Sequence, residues 1–238
     1  RCGGAVEKRE KEQWMIAITK YADRLLEDLN TVDYLPKIKK QQEDWIGKSE
    51  GAEIDFDMVA NTSSSLRAER SNLGEKITVF TTRPDTIFGA TYLVLAPEHP
   101  LVSRVTTDEH RSQVEQYVLS AKAKTDIERG DTSKEKTGVF TGAYAVNPAN
   151  KKEIPIWVAD YVLNSYGSGA IMAVPAHDER DWKFAKQYDI SVQCVISNQD
   201  GGTIGCYEGD GILVDSGEFT GLSVSDAIMR IIAWLEEN

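Results

Sequence analysis

The sequence predicts an α+β protein: a β-barrel core decorated by helices, with a helical segment at its N-terminus. Three observations carry this. Short β-type runs recur between residues 52 and 196, and amphipathic helical patterns fall between them and at both ends. With 238 residues and a hydrophobic fraction of 41%, the chain has enough apolar material for one large core. Many short strands with helices interspersed suggest a closed sheet that carries helices on its outside.

In chain order, residues 7–29 read as an amphipathic helix, because Trp14, Ile18, Tyr21, Leu25 and Leu29 recur at three- and four-residue spacing. Pro36 suits the first position of a second helix that runs to about Trp45. Ile54, Phe56 and Met58 alternate with Asp55 and Asp57, the pattern of a half-buried strand. Ala60 to Glu75 is polar, with three consecutive serines, and reads as a loop. Further strands are expected at 76–81, 91–96, 137–141, 154–158, 169–174 and 193–196. Helical patterns intervene at 107–124, through Val114, Tyr117, Val118 and Ala121, and at 178–188. Ser225 and Asp226 offer a cap for a last helix that buries Ile228, Ile231, Ile232 and Leu235.

Composition excludes some classes. No run of eighteen apolar residues occurs, so no membrane-spanning helix is expected. Arg1-Cys2-Gly3-Gly4 has no apolar stretch of the signal-peptide kind, and without an initiator methionine the chain reads as a piece of a longer one. Cys2, Cys194 and Cys206 are odd in number and scattered, which argues for a reducing compartment without a disulfide framework. A net charge of −11 disfavours strong phosphate binding. It fits a module that receives only the end of a nucleic acid held elsewhere, and equally one that never meets nucleic acid.

Two stretches carry chemistry. In the first, the strand at 76–80 runs into Thr81-Thr82-Arg83-Pro84-Asp85-Thr86-Ile87-Phe88-Gly89. Pro84 fixes its own φ and biases Arg83 away from the helical region, so the chain turns. Hydroxyls and a guanidinium are thereby held at a strand end, a rigid place for a site; a strand end with solvated threonines is the plainer alternative. In the second, Gly167-Ser168-Gly169-Ala170-Ile171-Met172-Ala173-Val174-Pro175 is a small-residue apolar strand that leads into Ala176-His177-Asp178-Glu179-Arg180-Asp181. Asp178 is placed as an N-cap with Asp181 in capping-box register. A metal site is weaker, since no second histidine stands at ligand spacing and only His99 and His110 occur elsewhere. A carboxylate in a first helical turn beside an apolar strand also suits a protonated amine. No Ser-His-Asp or Cys-His set is visible, which favours attack by a bound water over a covalent nucleophile.

Together these segments resemble the editing domain of leucyl-tRNA synthetases, of bacterial or organellar type. The first is similar to that family's threonine-rich motif and the second to its strand-and-aspartate motif. Asp85-Thr86-Ile87-Phe88-Gly89 is similar to the leucyl form, whereas valyl and isoleucyl editing domains differ after the double threonine. Trp45-Ile46-Gly47-Lys48-Ser49-Glu50-Gly51 resembles the segment by which the family's chain reaches this insert. The resemblance implies the valyl/isoleucyl/leucyl editing-domain barrel at 51–238, preceded at 1–50 by a helical segment from the flanking synthetase region.

The resemblance also implies an activity: hydrolysis of the aminoacyl ester of tRNA-Leu mischarged with norvaline, isoleucine or methionine, by a positioned water. Residue by residue, it implies that Asp181 anchors the substrate's α-amino group and that Asp178 supports it. It puts Thr81 and Thr82 at the terminal adenosine and the scissile ester. Arg83 can steer the phosphate or ribose end. Thr86 protrudes into the amino-acid pocket and excludes leucine. Tyr166, Met172 and Val174 line that pocket, with ordinary core packing at least as good a reading for Val174. His177 and Arg180 join the substrate-binding group. The implied partners are the 3′ end of mischarged tRNA-Leu and the rest of the synthetase, in a bacterial cytoplasm or an organelle, with no membrane. Cys2 resembles the second half of a Cys-x-x-Cys pair that helps some members bind zinc. One ligand cannot hold a metal, so neither metal nor cofactor is expected. The chain has no His-x-Gly-His and no Lys-Met-Ser-Lys, so ATP-dependent leucine activation is not expected of it. Non-catalytic binding of a tRNA end or partner, and a valyl- or isoleucyl-type editing domain, are the alternatives.

Overall fold

The computed structural model describes residues 11–49, 51–59, 75–125, 128–129, 135–164, 167–198 and 206–237. The chain divides into two compact units, Arg1–Glu50 and Gly51–Asn238. The loop expected at 60–75 lies almost wholly outside the described residues.

In the first unit a 3-10 turn at Ile18–Tyr21 leads into α1 (Ala22–Asp28), and α2 spans Pro36–Ile46. Pro36 opens α2, and Gly47 closes it in the left-handed region at φ 63°. The helix expected over 7–29 is therefore shorter: residues 11–17 are not helical. Trp14, Met15 and Ile16 face solvent, as do Ile18, Tyr21 and Leu25 in the turn and helix that follow, so exposure alone does not set where the helix begins.

The second unit is a mixed six-stranded sheet with helices around it. Its strands are β1 (Ala52–Met58), β2 (Lys76–Thr81), β3 (Tyr92–Leu95), β4 (Gly138–Val146), β5 (Glu153–Ala159) and β6 (Ala170–Ala173). Their order is β2-β1-β4-β5-β3-β6, with β3 and β5 parallel and the other neighbours antiparallel. β2 and β6, the outer strands of that order, lie against one another. No hydrogen-bonded ladder joins them among the described residues, so the sheet curls without a closed barrel ladder. A small second sheet pairs β7 (Ile196–Ser197) with β8 (Ile212–Leu213). The strand expected at 193–196 reduces to this short piece.

The core explains the topology. β1 alternates as read, with Ile54 and Phe56 inward and Asp55 outward against Lys76 and Thr78. β3 is buried on both faces. Leu93 and Leu95 enter the main core with Ile77, Val79, Ile156 and Met172. Tyr92 and Val94 enter a second cluster with Tyr161, Phe184 and Ala185. A strand covered on both sides reads as a continuous apolar run. β4 runs past the expected end at 141, through a bend at Gly142, where φ is 81° and the register with β5 shifts. A Cβ there would overlap Thr107 Oγ1 and His110 Nδ1.

Among the described residues this unit carries α3 (Val102–Val105), α4 (Arg111–Lys122), α5 (Glu179–Gln187) and α6 (Val224–Glu237). Ser223, not Ser225, caps α6, its Oγ accepting from Asp226 N at 3.2 Å. No helix among the described residues is long and apolar enough to cross a membrane.

Candidate functional site

The threonine-rich segment is built as a turn onto a buried 3-10 helix. Thr81 ends β2, and its Oγ1 accepts the Arg83 N–H at 3.0 Å, a hydroxyl-closed turn. Pro84 then opens the 3-10 helix Pro84–Gly89, whose six residues are all buried. The β4–β5 turn holds this helix from outside. Asn147 Nδ2 donates to Ile87 O at 2.8 Å, and Asn150 Nδ2 donates to Phe88 O at 3.0 Å. Gly89 brings it against the end of β6. A Cβ there would stand 2.8 Å from Val195 Cγ2 and 3.3 Å from Val174 Cγ1.

Arg83 is fixed by Asp85. Its Nε and Nη2 donate to the two carboxylate oxygens at 3.0 and 2.8 Å. Asp85 is fully buried while the guanidinium is about one-third exposed. The fork therefore aims the outer face of Arg83 toward solvent. Thr82 is exposed and Thr81 half-buried. Thr86 is buried, and its Oγ1 donates to Arg83 O at 2.9 Å. That bond and the β-branch set χ1, so the methyl group has one direction.

The second segment lies at the start of α5. Asp178 is the N-cap, its Oδ1 accepting from Arg180 N at 2.8 Å and Asp181 N at 3.1 Å. Burial works to raise the Asp178 pKa, but the Arg180 hydrogen bond and charge and the two backbone N–H groups outweigh it and hold it below the ordinary value. Asp181 does something else. It is 4% exposed, and its Oδ2 accepts from Val174 N at 2.9 Å while Oδ1 accepts from Tyr161 OH at 3.1 Å. Each oxygen keeps a further acceptor position. Burial, and then the negative Asp178, push its pKa up to about 7. Between about pH 4 and 7 the folded protein holds a proton that the unfolded chain releases, so this group's contribution to stability falls as pH rises through that interval.

His177 is a brace. Its Nδ1 lies 2.8 Å from Tyr207 O, and its Nε2 accepts from Val195 N at 3.0 Å and Ile196 N at 3.1 Å. These partners assign the neutral Nδ1–H tautomer, and burial, as the largest cause, lowers its pKa. Both ring nitrogens are occupied by main chain, which leaves neither for a ligand. Met172 and Val174 pack into the main core. Arg180 forms an ion pair with Asp178 at 2.9 Å and is exposed. Tyr166 lies outside the described residues.

The fold thus brings the two segments together. β2 packs beside β6, Gly89 abuts Val174, and the charges of Arg83 and Asp85 are felt at His177. Two cavities, of about 440 Å³ beside Trp157 and about 710 Å³ beside Trp234, have other linings and take in none of these side chains. Among the described residues no cluster of three His, Cys, Asp or Glu could hold a metal ion. Sequence reading missed Asp85's clamp on Arg83, although its place two residues on was a usable signal. It also missed Tyr161, in the turn after β5, and Tyr92, on β3, which are distant in sequence from Asp181 and have no local signal.

Comparison with known proteins agrees with this arrangement. The family model described as leucyl-tRNA synthetase, editing domain, matches residues 43–236. The chain is 50% identical over 248 aligned positions to the leucine–tRNA ligase of Roseiflexus castenholzii, covering all of this chain and 27% of that protein. The crystal structure of the agnB2 LeuRS of Agrobacterium radiobacter K84, in a ternary complex with tRNA and LeuAMS, superposes with a TM-score of 0.72 at 35% identity. That match covers all of this chain and 25% of the other. The chain spans about a quarter of the length of each. The threonine-rich turn, the capped aspartate helix and these matches agree, and the chain belongs to the leucyl-tRNA synthetase editing-domain family.

Proposed function

We propose that this domain hydrolyses the aminoacyl ester of mischarged tRNA-Leu, bearing norvaline, isoleucine or methionine, and spares leucine. The observation that carries the reading is the buried Asp181 carboxylate, bonded to Val174 N just past β6, where Gly89 of the threonine-rich segment abuts Val174, with acceptor positions left on both its oxygens.

The chemistry follows from the geometry. Asp181 receives the α-ammonium of the esterified amino acid, and a charge-assisted bond is strong where water is excluded. The ammonium in turn favours the ionised carboxylate. Thr81 spends an acceptor position on Arg83 N, so its O–H proton serves the developing oxyanion or the ribose. Thr82, being exposed, meets the terminal adenosine. Arg83, clamped by Asp85, takes a phosphate. A water held between these groups attacks the carbonyl directly, and the ribose hydroxyl leaves. Thr86 supplies the steric block to leucine. The capped helix and His177 hold the frame. The 1–50 unit is proposed to lead in from the flanking synthetase region, and the curled sheet to be the editing-domain barrel. The valyl and isoleucyl alternatives are set aside by the family match. In this reading the partners are the tRNA 3′ end and the remaining synthetase.

A non-hydrolysable aminoacyl-adenosine tests the site. The chain should bind an isoleucyl analogue, and should lose most of that binding when the amine is acetylated. Its affinity for uncharged tRNA should be weak, since −11 of net charge opposes phosphate contacts. Equal binding of the acetylated and free-amine analogues, measured by calorimetry, would overturn the anchor assignment.

A further inference from the structure

We propose that Tyr161 is a positioning residue of the hydrolytic site, aiming the Asp181 carboxylate through a buried hydrogen bond. The inference rests on the reading of Asp181 as the ammonium anchor. Tyr161 lies in the turn after β5 and is 8% exposed. Its hydroxyl donates to Asp181 Oδ1 at 3.1 Å. Tyr92, on β3, donates from its own hydroxyl to the Asp181 main-chain oxygen at 3.1 Å. Both rings rest on Phe184, one turn further along α5. Tyr92 stacks at 5.4 Å and 16°, and Tyr161 tilts at 5.8 Å. Two phenols, one on β3 and one in the turn after β5, therefore grip one residue, by its backbone and by its side chain.

A phenyl ring would fill the space of Tyr161 equally well, and only the hydroxyl touches the carboxylate. That bond fixes Oδ1, while Val174 N fixes Oδ2 at 2.9 Å. The carboxylate plane is thus locked, and the remaining acceptor positions point one way. Burial raises the pKa of both tyrosines, so each stays a donor throughout the working range. The titratable or charged groups facing Asp181 are Asp178 and Arg180 on α5, Tyr161 after β5, Tyr92 on β3 and Cys206 from the 206–210 segment. Asp178 opposes ionisation of Asp181, whereas Arg180, Val174 N–H and Tyr161 favour it. Removing the Tyr161 hydroxyl should leave Asp181 protonated to a higher pH.

Tyr161→Phe in the full-length synthetase carrying this domain gives a readout that a packing role would not move. The acid limb of kcat/KM for Ile-tRNA-Leu hydrolysis should shift up by about one pH unit, the size expected for loss of a hydrogen bond to a charged group. At pH 6.5 the variant should be about tenfold slower than wild type, and the ratio should return toward one at pH 8.5. Tyr92→Phe should shift the limb less, because its hydroxyl meets the Asp181 backbone and not the carboxylate. Carbon-13 NMR of the aspartate carboxyls reads the same bond without substrate: a titration near 7 in wild type should move upward in Tyr161→Phe. Superimposable pH profiles, or a loss of equal size at every pH, would overturn the positioning role. Wild-type hydrolysis by Asp181→Ala would instead remove the anchor reading beneath it, and an unshifted carboxyl titration would overturn the Tyr161 bond separately.

Discussion

Asp181→Asn should slow deacylation of Ile-tRNA-Leu by about a hundredfold or more, since a misplacement of about 1 Å already costs that much in a positioned reaction. Asparagine is the informative change. Its oxygen accepts from Val174 N, and its amide donates to the Tyr161 oxygen, so contact with both partners is kept although the phenol proton loses its acceptor. The charge is lost with little change of shape. Asp181→Ala should be as inactive but less stable, because it strands a buried N–H and a phenol at about 1–3 kcal/mol each. Part of that cost is offset by removing a desolvated carboxylate. Asp181→Glu should also be slow, because the longer arm displaces the ammonium. In a full-length synthetase carrying this domain, leucine activation measured by pyrophosphate exchange should be unchanged in all three. The structure removes the competing view that Asp181 serves as a cap: Asp178 caps α5, and Asp181's oxygens go to Val174 and Tyr161. Wild-type editing by Asp181→Asn would end the anchor assignment.

Thr86→Ala should make the domain hydrolyse correctly charged Leu-tRNA-Leu. The hydroxyl of Thr86 is held on Arg83 O at 2.9 Å, so its methyl group cannot swing aside to admit a larger ligand. Removing it clears about one methyl group of space. A methyl group in an apolar pocket is worth about 1–3 kcal/mol, so the gain on leucine should be about 10- to 200-fold. In a full-length synthetase the variant should consume ATP in futile cycles and accumulate little Leu-tRNA-Leu. Leu-tRNA-Leu that remains as stable with the variant as with wild type would show that leucine is excluded by something else.

Much of this was legible in the sequence, for particular reasons. The Ile54/Asp55/Phe56/Asp57 alternation marks β1, because one face of that strand is buried and the other is wet. Asp178 is readable as a cap because capping is local: the side chain reaches N–H groups two and three residues on. The threonine turn is readable because Pro84 constrains its neighbour. What was not legible is non-local. Gly142 bends β4 because Thr107 and His110 approach it, and neither lies nearby in sequence. The helix expected at 7–29 is absent at residues 11–17, and periodicity does not distinguish these from the equally exposed Ile18, Tyr21 and Leu25 that do turn helically. His177 stands among acids and suggests a ligand-binding role. Its environment shows a neutral ring bound by main chain from Tyr207, Val195 and Ile196. Tyr161 and Tyr92 carry no motif at all, and only the packing of β3 and the turn after β5 around Phe184 brings them to Asp181.

The central claim is that a single site here hydrolyses mischarged tRNA-Leu and rejects leucine. Single-turnover hydrolysis of Ile-, norvalyl-, Met- and Leu-tRNA-Leu, by this chain and by the full-length synthetase carrying it, tests that directly. Isoleucine, norvaline and methionine should be released rapidly, with leucine at least about tenfold slower, as one excluded methyl group requires. All three fast reactions should disappear together in Asp181→Asn. Release of none of the three by the full-length enzyme, or release of all four at one rate, would contradict it.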